Sequence, residues 1–147
     1  MENRFETFTV LINRISRNIR KIKNQEMAEY SLRSAHISCI YYLYSFGALT
    51  ATELCEKCEE DKATISRAID YLEEKEYIIC ESKALKRYKS PLILSDMGKI
   101  IGEKISKKID KVLEAVSVGL ADEERIEFYK TLTIISDNIE NVSNSIT

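Results

Sequence analysis

Near the start of the chain, apolar residues fall at Phe5, Phe8, Ile12, Ile15, Ile19 and Ile22, alternating spacings of three and four. That is the seam of one amphipathic helix, with Arg14, Arg17, Asn18 and Lys21 on the opposite face. Near the other end, Phe128, Leu132, Ile135, Ile139, Val142 and Ile146 repeat the pattern on a helix that begins near Asp122. Each seam is a long apolar stripe that wants a partner.

Between the seams the pattern changes more quickly. Ile37, Ile40, Leu43 and Tyr44 predict a helix from Ser34 to Phe46 with Gly47 as its stop. Thr50 and Glu53 stand at capping-box spacing and predict a short helix ending near Cys58. Asp61 can cap the next helix, Lys62 to about Lys75, whose stripe is Ile65, Ala68, Ile69 and Leu72. Two helices joined by so short a turn, with a supporting helix before them, predict a helix-turn-helix. The period then switches to β-prone runs, 77–81 and 92–94, flanking Ser82–Pro91. Ser95 can cap a long helix through Met97, Ile101, Ile105, Ile109, Val112 and Val116, which Gly119 breaks. The expected fold is mainly α with a small β-hairpin: a winged helix-turn-helix, residues 31–98, between long dimerisation helices at 1–30 and 99–147.

Composition narrows the function classes. The 147 residues are 44% hydrophobic and 31% charged, with one proline and four glycines, as expected of a helix-rich globular chain. No apolar run approaches the ~18 residues of a membrane span, and Arg4, Arg14, Arg17 and Arg20 interrupt any signal-peptide core. A cytoplasmic protein with no membrane partner is expected. The net charge of −2 argues mildly against a polyanionic partner, so the distribution of charge decides more than the sum.

Two local features supply basic chemistry. On the helix Lys62–Lys75, the face away from the apolar stripe carries Lys62, Ala63, Ser66, Arg67 and Asp70, flanked by Thr64 and Tyr71. Small, hydroxyl and guanidinium side chains suit the major groove, where Arg67 can reach guanine bidentately; an ordinary solvated face, with Arg67 paired to Asp70, is the alternative. The loop between the β-runs holds Lys83, Lys86, Arg87 and Lys89 with Tyr88 interleaved and no acid. It can follow a phosphate backbone or enter a minor groove, or serve as a solubilising turn. A helix-turn-helix followed at once by a basic hairpin is more specific than either part.

No catalytic residues, metal site or cofactor are expected. The chain has no nucleophile elbow, no phosphate-cradling glycine loop and no zinc-protease motif. Cys55 and Cys58 form a C-x-x-C, but the only histidine is His36, and zinc normally takes four ligands. Both thiols fall where the short helix should face the core, so structural packing is the expected role, a redox pair the alternative.

The stretch Leu49-Thr50-Ala51-Thr52-Glu53-Leu54, then Asp61-Lys62-Ala63-Thr64-Ile65-Ser66-Arg67 and Leu72-Glu73-Glu74-Lys75, resembles the MarR family of regulators. The hairpin exit Leu94-Ser95-Asp96-Met97-Gly98-Lys99 is similar to that family's leucine-threonine-x-x-glycine segment. The resemblance covers about 34–102. It implies an obligate homodimer, a palindromic double-stranded DNA operator, and often release by a small aromatic or lipophilic effector. It also implies an effector pocket near Ile15, Ile19, His36 and Tyr41. Two departures stand out. The wing's usual aspartate-x-arginine is replaced by Lys86-Arg87-Tyr88, and Glu59 stands where the inter-helix turn often has glycine, which demands φ > 0. The expectation is a sequence-specific transcriptional regulator, a repressor rather than an enzyme. The competing readings are a winged-helix protein-interaction dimer without specific DNA binding, and a thiol-based redox-sensing regulator.

Overall fold

A computed structural model describes residues 5–82 and 89–146. The helices are α1 (Phe5–Glu26), α2 (Ser34–Phe46), α3 (Ala51–Cys58), α4 (Lys62–Glu74), α5 (Asp96–Val116) and α6 (Asp122–Ser145). A 3-10 turn, Ala28–Tyr30, follows α1, and two strands, β1 (Ile78–Cys80) and β2 (Leu92–Leu94), separate α4 from α5. Residues up to Lys108 form one compact unit and those from Ile109 onward a second.

Local chemistry sets each boundary in the first unit. Gly47 ends α2 with φ of 81°, its N–H donating to the Leu43 carbonyl at 3.0 Å. Thr50 and Glu53 form the reciprocal box expected of them: Glu53 N–H donates to Thr50 Oγ1 at 3.2 Å, and Thr50 N–H donates to Glu53 Oε2 at 2.8 Å. Asp61 caps α4 by accepting from Thr64 N–H at 2.7 Å, which holds its carboxyl below the usual carboxylate range. Ser95 Oγ accepts from Gly98 N–H at 3.0 Å and so caps α5. Glu59 does adopt a left-handed conformation, φ 54°, as the turn between α3 and α4 requires.

The core lies where α2, α3, α4, the strands and the first turns of α5 meet. Ile40, Leu54, Ile65, Ile69, Leu72, Leu92 and Ile105 are essentially without solvent contact. The helical stripes expected on α2 and α4 are the ones buried, except that Tyr44 stays exposed. The strands pair antiparallel, with Ile78 opposite Leu94 and Cys80 opposite Leu92. Leu49 adds a bridge that the sequence pattern does not reveal, exchanging two backbone hydrogen bonds with Leu92 at 2.8 and 3.1 Å. This fastens the segment before α3 to the hairpin.

The second unit is mainly α6. Its first turn is stabilised by Glu124, whose carboxylate accepts from Ala121 N–H at 3.1 Å. No residue of α6 is buried.

Candidate nucleic-acid interface

The candidate surface is built on α4 and the hairpin that follows it. Burial of Ile65, Ala68, Ile69 and Leu72 fixes the rotation of α4 about its own axis. Residues offset from that stripe must face outward. Lys62, Ala63, Ser66, Arg67 and Asp70 are accordingly exposed, while Thr64 and Tyr71 are half-buried at the flanks. Five of the seven residues named on this helix thus share one open face. Arg67 reaches back one turn, its Nη2 donating to Thr64 Oγ1 at 3.4 Å. That contact is long and exposed, so it constrains the guanidinium little.

Tyr71 has a second role that its place in the sequence does not disclose. Its hydroxyl donates to the Ser31 carbonyl at 2.7 Å, and its ring stacks on His36 with centroids 4.3 Å apart. His36 Nδ1 in turn accepts from Arg33 N–H at 3.0 Å. Ser31 is held left-handed, φ 57°. Tyr71 therefore braces α4 against the entry to α2. His36, expected beside an effector, is a bracing residue in this arrangement. Burial, assisted by the Arg33 guanidinium, lowers its tendency to protonate.

At the base of the wing, Ser90 is fully buried and donates to the Ser82 carbonyl, while Cys80 Sγ donates to Ser90 Oγ at 3.0 Å. Both ends of the basic loop are thereby pinned to one point. Lys89 is exposed. Lys83, Lys86, Arg87 and Tyr88, also expected at the interface, lie outside the described residues.

A cavity of about 330 Å³ opens between α2, β2 and the start of α5, lined by Leu43, Tyr44, Gly47, Ile93, Leu94 and Lys99. None of Ile15, Ile19, His36 and Tyr41 lines it. Ile15 and Ile19 are exposed on α1, and Tyr41 meets Tyr42 edge to face at 5.5 Å. The thiols also need correction. Leu54 is the residue of α3 with no solvent contact, whereas Cys55 and Cys58 are half-buried; the fully buried cysteine is Cys39.

A three-helix core, a short-turn helix pair and an appended hairpin define a winged helix-turn-helix. Residues 30–87 match the MarR family model. The uncharacterized HTH-type transcriptional regulator YwoH of Bacillus subtilis (strain 168) is 27% identical over 117 residues, 80% of this chain and 85% of its own. The MarR protein from Peptoclostridium difficile DA00132 superposes with a TM-score of 0.86 at 20% identity, covering 100% of this chain and 96% of that one. The Staphylococcus aureus MepR–DNA complex gives 0.78 at 19% identity, covering 90% and 97%. Over its winged helix-turn-helix the chain is thus similar to the MarR family, and its fold is that of the solved MarR regulators.

Proposed function

We propose that this protein is a sequence-specific double-stranded DNA-binding regulator that acts as a homodimer on a palindromic operator. The observation that carries the reading is the open face of α4. Its buried stripe leaves Ala63, Ser66 and Arg67 pointing outward near the helix N-terminus, and β1 of the hairpin packs against the same helix. An α-helix fits the major groove, and small residues beside one guanidinium allow close approach with one strong reader of guanine. The fold shared with MepR, whose structure was solved with DNA, supports the same reading. So does the run of four basic residues between Ser82 and Ser90, which supplies phosphate contacts despite the net negative charge.

In this reading, residues 1–30 and 99–147 carry the dimer and 31–98 the DNA contacts. Release by a small aromatic or lipophilic effector fits the cavity beside α2 and β2, which is apolar but for Lys99. Repression, with effector binding weakening the DNA complex, is the sign of regulation we favour. The test is selection from a random DNA pool by the purified protein. An enriched inverted repeat whose half-sites lie about one helical turn apart is the expected result. Recovery of unrelated sequences, at the affinity of bulk DNA, overturns sequence specificity.

A further inference from the structure

The polar face of α1 is basic and carries no acid. From Thr7 to Gln25 the chain has five cations, Arg14, Arg17, Arg20, Lys21 and Lys23, and no Asp or Glu. Three contacts fix how this helix sits on the first unit. Asn24 Oδ1 accepts from Ser34 N–H at 2.8 Å, at the start of α2. Lys23 Nζ donates to Ser38 Oγ at 3.0 Å. Arg20 pairs with Glu60 at 3.2 Å, in the turn just before Asp61 caps α4. Lys23 and Arg20 are thereby engaged, and Arg14, Arg17 and Lys21 remain. They stand three and four positions apart and so share one stripe, on the side of α1 opposite the apolar seam. All three are exposed. Among the described residues, no hydrogen bond or ion pair engages any of them.

The exposed cations of α5 and α6 are balanced differently. Lys107 pairs with Glu103 at 3.0 Å, Arg125 with Asp122 at 3.3 Å and Lys130 with Glu127 at 3.6 Å, each within one helical turn. Faces of mixed sign are content with water. On α1 the like charges three and four residues apart repel one another and cost the helix stability. The helix dipole does not offset this for Arg14 and Arg17, because it favours cations only in the last turn and these two stand mid-helix. An external polyanion removes the repulsion.

The length and place of the stripe suit duplex DNA. Arg14 to Lys21 covers about 10 Å of helix axis, a distance over which a duplex presents several phosphates, one charge per about 1.7 Å. Asn13 and Asn18, exposed beside the cations, add neutral donors of the kind that also contact phosphate. The Arg20–Glu60 ion pair holds this part of α1 at the N-terminus of α4. We propose that Arg14, Arg17 and Lys21 bind phosphates of a strand bordering the half-site that α4 reads, so that α1 contacts DNA alongside α4 and the wing. The inference rests on the DNA-binding reading proposed above. The contact adds affinity and salt dependence but no sequence information, since phosphates carry none.

The experiment compares the full chain with the triple variant Arg14→Gln, Arg17→Gln and Lys21→Gln, in which glutamine preserves polarity and helix propensity. Each is titrated by fluorescence anisotropy, at several salt concentrations, with two duplexes of equal length: the one that wild type selects and a scrambled one. The variant is expected to bind both more weakly by the same factor, roughly tenfold or more at low salt, and to lower the slope of log K against log salt by about two to three units. Selection from a random pool should return the same inverted repeat as wild type, with circular dichroism and light-scattering mass unchanged. A charge-matched control, Lys107→Gln, Lys111→Gln and Lys130→Gln, should keep the wild-type slope. Unchanged affinity and slope in the α1 variant, while wild type binds its operator, overturn the α1 surface and leave the reading of α4 standing. An equal loss in the control reduces the effect to net charge and overturns the surface too. A lower light-scattering mass with the salt slope retained assigns the stripe to an acidic face of a second copy instead. Wild type that binds neither duplex removes both proposals together.

Discussion

Arg67 and Gly98 mark two ways in which a single residue matters here, the first through what it can reach and the second through what it leaves out. Arg67 is exposed on α4 and loosely held by Thr64. Arg67→Ala is expected to cost about 1–3 kcal/mol on the selected operator and to relax base preference at one position per half-site. Titration against cognate and scrambled duplexes checks this; an equal loss on both would make Arg67 a phosphate contact. Gly98 sits at the start of α5, where a Cβ would drive into the Tyr77 carbonyl oxygen, a backbone atom that cannot swing aside. Gly98→Ala should therefore destabilise the fold by about 1–3 kcal/mol in urea unfolding. His36 adds a pH dependence whose sign is fixed. Burial keeps its folded-state pKa below the ordinary 6.5, so as the pH falls the unfolded chain takes up its proton first. The contribution is complete above about pH 6.5. It declines as the pH drops through that value toward the lower folded-state pKa. Melting temperatures from pH 8 to pH 5 should show this decline, and His36→Asn, which keeps an acceptor for Arg33 N–H, should remove that component.

At the scale of elements, the helices were legible because their signals were local and redundant. The Thr50–Glu53 box, the Asp61 cap, the Gly47 stop and the Ser95 cap each satisfy backbone groups within a few residues, and each appears where the spacing placed it. The exposed face of α4 was legible for a related reason, since a buried stripe dictates its opposite. What the sequence concealed depends on contacts between distant segments. The Leu49–Leu92 bridge spans 43 positions, and the Tyr71–Ser31 bond spans 40. Neither leaves a periodic trace. The wing can be addressed experimentally as an element. Lys83, Lys86, Arg87 and Lys89 fall in sequence between Ser82 and Ser90, and in the proposed reading they contact backbone phosphate. Lys86→Ala should weaken binding to all duplexes alike and lower the slope of log K against log salt by roughly one unit if that lysine holds a phosphate. Unchanged affinity and slope would make it a solvated wing residue.

At the scale of the whole molecule, the two seams read from the sequence keep about half of their residues exposed. Along α6 no residue is buried: Leu132 and Ile135 are half-buried, Phe128, Ile139 and Val142 are substantially exposed, and Ile146 just beyond the helix is 78% exposed. On α1, Ile15 and Ile19 are exposed as well, at 48% and 47%. Scattered apolar residues on a surface need no explanation, but two heptad-spaced stripes on separate helices do. The first unit has its own complement of buried residues. A second copy of the chain offers the same stripes in return, and a self-complementary surface is what twofold pairing requires. The expected outcome is a dimer at micromolar concentration with no separately stable monomer. Light scattering should then give twice the chain mass, and the melting temperature should rise with protein concentration because association is coupled to folding. Placing a charge in the seam, as in Ile139→Lys, should lower that melting temperature and steepen its dependence on concentration, since a lysine at an apolar contact must be desolvated without a partner. On a chain that folds alone, the same lysine would stand in water and change stability by little more than ~0.5 kcal/mol. Folded wild type at the monomer mass, with a melting temperature independent of concentration, would contradict the dimer and with it the twofold operator.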